Sequence, residues 1–326
     1  LKLLLVVPSY PWSAGLFAGV FNQRCAHALR DLGAHVEVLA PRPYSPKVLG
    51  LLRPKWNAYR QIPRTQEENG VAVHRPSFVQ IPRIASTFWR EAGASASCRR
   101  IVVERHERVG FDAILAFDLL GGGGLGWRLG RHLGIFAAGW ATGDDVRVGP
   151  DTAAGRALSR TLRSLDLVFY QSRELAGIAA ERLGVGFGGL DPRRHVVLSR
   201  GIAEPPPQAD RPDMRARTRA TLGLAPHETM LLSVGRIDAH KGVYELLEAA
   251  ARLPNATPES MRVVLVGSVP GFDETPAVLR FIESHPALGS RVQVLPSCPP
   301  QEVWQYLAAA DIFAFTSHKE GMPNSL

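Results

Sequence analysis

The sequence predicts an α/β protein of two doubly wound domains, and three observations predict it. Short, continuously apolar runs alternate with longer amphipathic stretches through the first part of the chain. The alternation then breaks at EPPPQADRP (Glu204–Pro212), which holds four prolines in nine residues. Beyond that break the same alternation restarts and runs to the last residues. A continuously apolar run is buried on both faces, as strands of a parallel sheet are, and a strand-helix-strand rhythm at this spacing builds a doubly wound sheet.

In order, the expected strands of the first domain are Leu3–Val7, Val36–Leu39, Ala113–Phe117, Ile135–Ala138, Leu167–Tyr170 and Val196–Leu198, with an edge strand at Val71–His74. The amphipathic stretches between them are Val20–Leu32, Ile84–Val109, Leu125–Leu133, Ala153–Leu162 and Arg173–Leu183. Proline removes a donor and fixes φ, so EPPPQADRP is neither helix nor central strand and reads as a linker. It sets the expected domains at 1–203 and 204–326. The second domain offers strands Met230–Val234, Val263–Gly267 and Val292–Pro296, and a buried strand Ile312–Thr316. Helices are expected near Val243–Leu253, Ala277–His285 and Gln301–Ala310. Two such domains on a hinge should leave a cleft, with ligands at the carboxyl ends of the strands. No helix follows the fourth strand and no methionine opens the chain, so a longer parent protein is expected.

Composition narrows the class. With 45% apolar and 21% charged residues, the chain reads as globular, and no apolar run is long enough to span a bilayer. LKLLLVVPSY is too short for a leader and lacks a small-residue cleavage site. Cys25, Cys98 and Cys298 have no metal-ligand spacing, which suits a reducing cytoplasm. The net charge of +8 is uneven: residues 1–110 hold 16 Lys and Arg against 7 Asp and Glu, and the remainder 22 against 23. Six of those cations stand without an acid in Pro41–Arg64, among leucines, a tryptophan and two tyrosines. That mixture suits an anionic membrane surface or a phosphorylated lipid; the competing reading is an Arg-rich loop. Nucleic acid is not expected, because no recognisable nucleic-acid module accompanies the charge.

Three turns could carry chemistry. In SVGRIDAHKGVYELLEAA (Ser233–Ala250), Arg236 and Lys241 flank a tight turn between a strand and a helix N-terminus. Arginine binds phosphate bidentately, lysine as a point charge, and a helix N-terminus adds free N–H groups; together they fit a diphosphate. The alternative is two solvated cations. In the opening turn, Gly15 and Gly19 precede a helix and allow close approach of backbone amides to phosphate or sugar. GGGGLG (Gly121–Gly126) lacks a phosphate-binding lysine and is expected to be a flexible turn. In the final turn, SHKEGMPNSL, Glu320 could accept from two sugar hydroxyls while Gly321 to Asn324 lend backbone amides; a helix-capping acid is the alternative. A dinucleotide dehydrogenase is excluded, since neither its glycine fingerprint nor the acid that follows is at the required place.

The ordered set Gly235-Arg236, Lys241-Gly242, VVLVG and AADIFAFTS…EGMPNSL resembles the family-4 retaining glycosyltransferases of the GT-B fold, of the bacterial polysaccharide and cell-envelope type. PSYPW…GVFNQRCAHALRDLGAHVEVLAP, LDLVFYQSRELAGIAAERLG and HVVLSRGI are similar to the family's opening and inter-domain strands, so the resemblance spans nearly the whole chain. It implies two Rossmann-like domains and transfer of a sugar from a nucleotide-diphosphate donor to a saccharide or lipid-linked acceptor, without cofactor or metal. Arg236 and Lys241 would stabilise the leaving diphosphate and Glu320 would hold the donor sugar. Gly235, Gly267, Gly321, Met322 and Asn324 would line the donor, and Gly15 would close on the diphosphate from the first domain. It also implies a cytoplasmic enzyme, peripheral on the membrane's inner face.

Two departures matter. The family's second Glu, eight positions after the first, would fall beyond Leu326, so this piece alone could be inactive. In ATGDDVR (Ala141–Arg147), Thr142 stands where relatives carry His or Arg, leaving Asp144 and Asp145 to contact acceptor or donor hydroxyls. A non-catalytic sugar-nucleotide binder and a nucleotide-sugar epimerase on the same scaffold remain the alternative readings.

Overall fold

The computed structural model describes residues 1–12, 19–45, 60–79, 87–199, 201, 204–253, 261–269 and 273–318. The chain forms two compact units, Leu1–Arg200 and Gly201–Leu326.

In the first unit the strands are β1 (Lys2–Val6), β2 (His35–Leu39), β3 (Arg42–Pro43), β4 (Thr65–Glu68), β5 (Val71–His74), β6 (Ser77–Phe78), β7 (Ala113–Phe117), β8 (Phe136–Ala141), β9 (Leu167–Tyr170) and β10 (His195–Val197). Its helices are α1 (Val20–Asp31), α2 (Thr87–Val109), α3 (Gly124–Leu133), α4 (Ala153–Ser164) and α5 (Arg173–Leu183). Eight strands make one sheet in the order β10-β9-β8-β7-β1-β2-β5-β4, and β3 pairs separately with β6. Every pair of the large sheet is parallel except β4 with β5. Alternate residues of β1 serve opposite cores. Leu4 and Val6 pack with Ile114, Leu129, Leu158 and Leu162; Leu3 and Leu5 pack with Ala26, Val36 and Val38. Burying each such leucine contributes about 2–3 kcal/mol, which is why both faces of β1 are apolar.

Val71–His74 is not the edge strand it was expected to be. It forms a hairpin with β4 through Asn69 and Gly70, both at positive φ (48° and 72°), as a tight two-residue turn requires. The polar TQEE of β4 hid it, because an exposed edge needs no apolar pattern. GGGGLG is not a flexible turn either. Asp118–Gly123 form a π-helical turn that runs straight into α3, and Gly122 passes so close over β1 that a Cβ there would lie 2.6 Å from the Val6 carbonyl oxygen. Helices α4 and α5 begin as their sequences direct, with Thr152 and Ser172 side chains accepting from the Gly155 and Leu175 N–H groups.

The second unit contains α6 (Arg211–Thr221), β11 (Thr229–Val234), α7 (Val243–Arg252), β12 (Met261–Ser268), α8 (Thr275–Glu283), β13 (Val292–Pro296), α9 (Pro300–Ala309) and β14 (Ile312–Phe313). The four strands are parallel in the order β13-β12-β11-β14. Val263, Leu265 and Leu247 lie in one core, and Met230, Leu232 and Val264 in the other. The expected linker is shorter than its prolines suggest, because α6 starts at Arg211 and carries Pro212 in its first turn, where the lost N–H costs no intrahelical bond. The expected buried strand at Ile312–Thr316 is an edge strand of two residues, with Ile312 half exposed.

One buried charge is unexpected. Glu37 interrupts the apolar β2 and is 1% exposed. It accepts from His74 Nε2 (2.9 Å), Arg105 Nε (2.9 Å) and Arg105 Nη2 (2.5 Å), tying β2 to β5 and α2. Burial pushes its carboxyl up, but the hydrogen bonds from His74 and Arg105 outweigh this and bring it down to about 2. A depressed folded pKa means its stabilisation is complete above the ordinary carboxylate range and is lost as pH falls through about 2. Urea denaturation should find Glu37→Gln about 2–4 kcal/mol less stable at neutral pH. The variant's loss of stability on acidification from pH 4.5 toward about 2 should also be shallower than the parent's.

Candidate functional site

In the second unit the strand order reverses at β11, which has β12 on one side and β14 on the other. Such a switch point leaves a crevice at the carboxyl ends. Two segments far apart in sequence meet there, one after β11 and one after β14.

The first segment is Gly235–Gly242. The Gly235 N–H donates to the Val266 carbonyl at 2.9 Å, carrying the ladder one residue past β11. On β12 the register shifts between Val266 and Ser268, and Gly267 sits at φ 136°. A Cβ on Gly267 would stand 2.0 Å from the Gly235 carbonyl oxygen, so only glycine allows these two main chains to touch. Arg236 follows with its guanidinium largely in solvent and its Nε 3.3 Å from Asp238 Oδ2. Asp238 is 8% exposed and caps the turn, its Oδ1 accepting from the Lys241 N–H at 3.1 Å. Gly242, left-handed at φ 65°, turns the chain into α7, whose N-terminus has no side-chain cap. A cation, a second cation and a positive helix end thus share one turn, an arrangement that attracts a multiply charged anion.

The second segment is Phe315–His318. The Thr316 hydroxyl donates to the Lys241 (3.0 Å) and Gly242 (2.9 Å) carbonyls. The Ser317 hydroxyl and the His318 N–H both donate to the His240 carbonyl, at 3.3 and 3.0 Å. His318 Nε2 meets Glu245 Oε1 at 2.8 Å in the first turn of α7. Main-chain hydrogen bonding, then His318, hold the Glu245 carboxyl below its ordinary range. Gly235, Arg236, Lys241, Phe315, Thr316 and Ser317 line a pocket with about 20 Å³ of free space.

The structure therefore brings Arg236, Lys241, Gly235 and Gly267 together. Gly15, Glu320, Gly321, Met322 and Asn324 lie outside the described residues. Asp144 is exposed in the first unit. Asp145 is buried, and its oxygens accept from the N–H groups of Leu119 (2.7 Å), Thr142 (3.0 Å) and Gly143 (2.7 Å). Burial, and then the neighbouring Asp118, push its carboxyl up despite those bonds. Asp118 itself, at φ 67°, accepts from the Leu120 and Gly121 N–H groups. These two acids bind main chain at the switch point between β1 and β7. Sequence reading missed Asp238, Thr316 and Ser317; an acid three residues before Lys241 and two hydroxyls after an apolar run were the available signals. Among the described residues no group of three or more His, Cys, Asp or Glu could hold a metal ion, and no helix is long and apolar enough to cross a membrane.

Residues 214–326 match the family described as glycosyl transferases group 1. The chain is 26% identical over 325 residues to the putative teichuronic acid biosynthesis glycosyltransferase TuaC of Bacillus subtilis, covering 99% of this chain and 77% of that one. It is 34% identical over 174 residues to a D-inositol 3-phosphate glycosyltransferase of Nocardia farcinica, covering 51% of this chain and 37% of that relative. In structure it is similar to sucrose-phosphate synthase from Thermosynechococcus elongatus, with a TM-score of 0.69, 20% identity and coverage of 99% and 76%. HepE of Anabaena, solved with UDP-glucose, gives a TM-score of 0.62 at 18% identity, with coverage of 97% and 74%. The fold is GT-B.

The Gly235–Gly267 contact makes a direct prediction. Gly267→Ala should destabilise the protein by about 2–4 kcal/mol in urea denaturation, because the methyl meets backbone and φ is positive. Gly177→Ala, in α5 with nothing within 4 Å of its would-be Cβ, should instead stabilise by about 0.5–1 kcal/mol.

Proposed function

We propose that this chain is a retaining hexosyltransferase that moves a sugar from a nucleotide-diphosphate donor to a saccharide or lipid-linked acceptor. One observation carries the reading: the Arg236–Lys241 turn, the uncapped start of α7 and the Thr316–His318 segment converge at one switch point. A diphosphate seated there would meet two cations and free N–H groups. During transfer the bond from the anomeric carbon to the diphosphate oxygen breaks. A bond to the acceptor oxygen forms on the same face of the sugar, and the acceptor's proton leaves with the diphosphate. Negative charge grows on the leaving group, and Arg236 and Lys241 stabilise it where a metal would otherwise be needed.

Glu320 follows His318 by two residues, and in this reading it takes the donor sugar's hydroxyls, with Gly321, Met322 and Asn324 beside it and Gly15 closing from the opening turn. The UDP-glucose in HepE supports a nucleotide-sugar donor. The name of TuaC supports an acceptor from bacterial polysaccharide biosynthesis. We place the enzyme in the cytoplasm, with Pro41–Arg64 leaning on an anionic membrane surface.

Calorimetric titration with UDP, GDP and ADP tests the donor site. One nucleotide should bind, and Arg236→Ala and Lys241→Ala should each weaken it by roughly 1.5–3 kcal/mol. A folded protein that binds none of the three would end the transferase reading.

A further inference from the structure

The first unit holds a cationic cluster that the donor chemistry does not use. The β3–β6 and β4–β5 pairings bring three arginines together at one end of the sheet. The Arg42 N–H donates to the Pro76 carbonyl at 3.0 Å, and the Arg75 N–H donates to the Arg64 carbonyl at 2.7 Å. Arg42 and Arg64 therefore approach the Arg75–Pro76 main chain from two sides, although 22 positions separate them in sequence.

Arg75 is the unusual member. It is 2% exposed, more deeply buried than charge normally tolerates. One guanidinium nitrogen, Nη2, donates to the Pro11 carbonyl at 2.8 Å, and the Cζ lies 6.0 Å from the Tyr10 ring centre. The other, Nη1, is buried without a hydrogen-bond partner, and so is the Tyr10 hydroxyl. The acid acting on Arg75 is Glu68, whose Oε1 accepts from Gln23 at 2.8 Å and whose Oε2, like Arg75 Nη1, is buried without a hydrogen-bond partner. Burial comes first in lowering the Arg75 guanidinium, and Arg42 adds to it; Arg42 is in turn lowered by burial and by Arg64. Among the described residues, the guanidinium groups of Arg42, Arg64 and Arg75 and the Glu68 carboxylate surround a buried Arg75 N–H that has no hydrogen-bond partner. Such a group is costly unless an anion completes it.

We infer that Arg42, Arg64 and Arg75 form a subsite for a phosphate group, monoester or diester, carried by the acceptor. The inference rests on the transferase reading and assigns the acceptor's chemical class. Arg64 is exposed and Arg42 partly so, giving the anion its approach, while Arg75 and the Tyr10 hydroxyl supply donors from below. Guanidinium groups fit phosphate oxygens in a bidentate fork, which lysines in these places would not.

The test uses the whole chain carrying Arg236→Ala and Lys241→Ala, so that the donor turn does not bind the probe. Thermal unfolding is followed in inorganic phosphate and in chloride of equal ionic strength. Co-sedimentation with vesicles of phosphatidylcholine containing phosphatidic acid, against phosphatidylcholine alone, forms the second arm. The proposal expects phosphate to raise the unfolding midpoint, or phosphatidic acid to capture the protein. Adding Arg42→Gln and Arg64→Gln should abolish that response, with Arg64→Gln alone weakening it. A response in free phosphate assigns a soluble acceptor phosphate, and one confined to vesicles assigns a lipid headgroup. No response in either arm, or an equal response in the Arg42 and Arg64 variants, overturns the subsite. UDP binding by the Arg42→Gln, Arg64→Gln protein with an intact donor turn reports separately on the transferase reading.

Discussion

The second unit's site depends on how two chains leave one switch point without a gap between them. Parallel neighbours that diverge at their carboxyl ends free carbonyls and N–H groups that no ladder satisfies. Here the segment after β14 is tied instead to the turn before α7: the Thr316 hydroxyl donates to the Lys241 and Gly242 carbonyls, Ser317 and the His318 N–H donate to the His240 carbonyl, and Gly242 supplies the room. The first unit meets the same constraint between β1 and β7 with different residues. Gly122 gives the close approach, and Asp145 gathers N–H groups from the turns after β7 and β8. A carbonyl-rich junction is closed by hydroxyl donors, an N–H-rich junction by a carboxylate. The choice follows the sign of what the backbone leaves exposed.

Charged side chains serve the same end elsewhere. Asp311 accepts from the Met230 N–H at 2.7 Å, from Arg215 Nη2 at 2.5 Å and from Arg219 Nη1 at 3.1 Å. Arg215 and Arg219 also donate to the last carbonyls of α9. The charge on α6 thus neutralises the negative end of one helix and fixes the acid that starts β14. Glu37 does comparable work between β2, β5 and α2.

Much of this was legible. The apolar runs located the central strands, because a buried parallel strand has no alternative composition, and Arg236 with Lys241 marked the turn after β11 that meets the segment after β14. What escaped was structure held by polar side chains. Helix α6, RPDMRARTRAT, shows little apolar periodicity because its arginines bind carbonyls. Strand β4 is all polar because its hairpin partner and the Asn69–Gly70 turn define it. Gly121–Gly126 read as loose because glycine signals freedom in a sequence, whereas here glycine was selected for closeness. The main-chain N–H groups that Asp145 accepts from left no sign, because a sequence does not say whether a carboxylate faces solvent or main chain.

The contact between Gly235 and Gly267 has a further consequence. At this point two main chains meet with no side chain between them, and a peptide group is the same whatever residue bears it. Such a joint is indifferent to the side chains around it; it fixes how closely the carboxyl ends of β11 and β12 approach. The Arg236–Lys241 turn is thereby seated on a footing whose height is the thickness of a peptide.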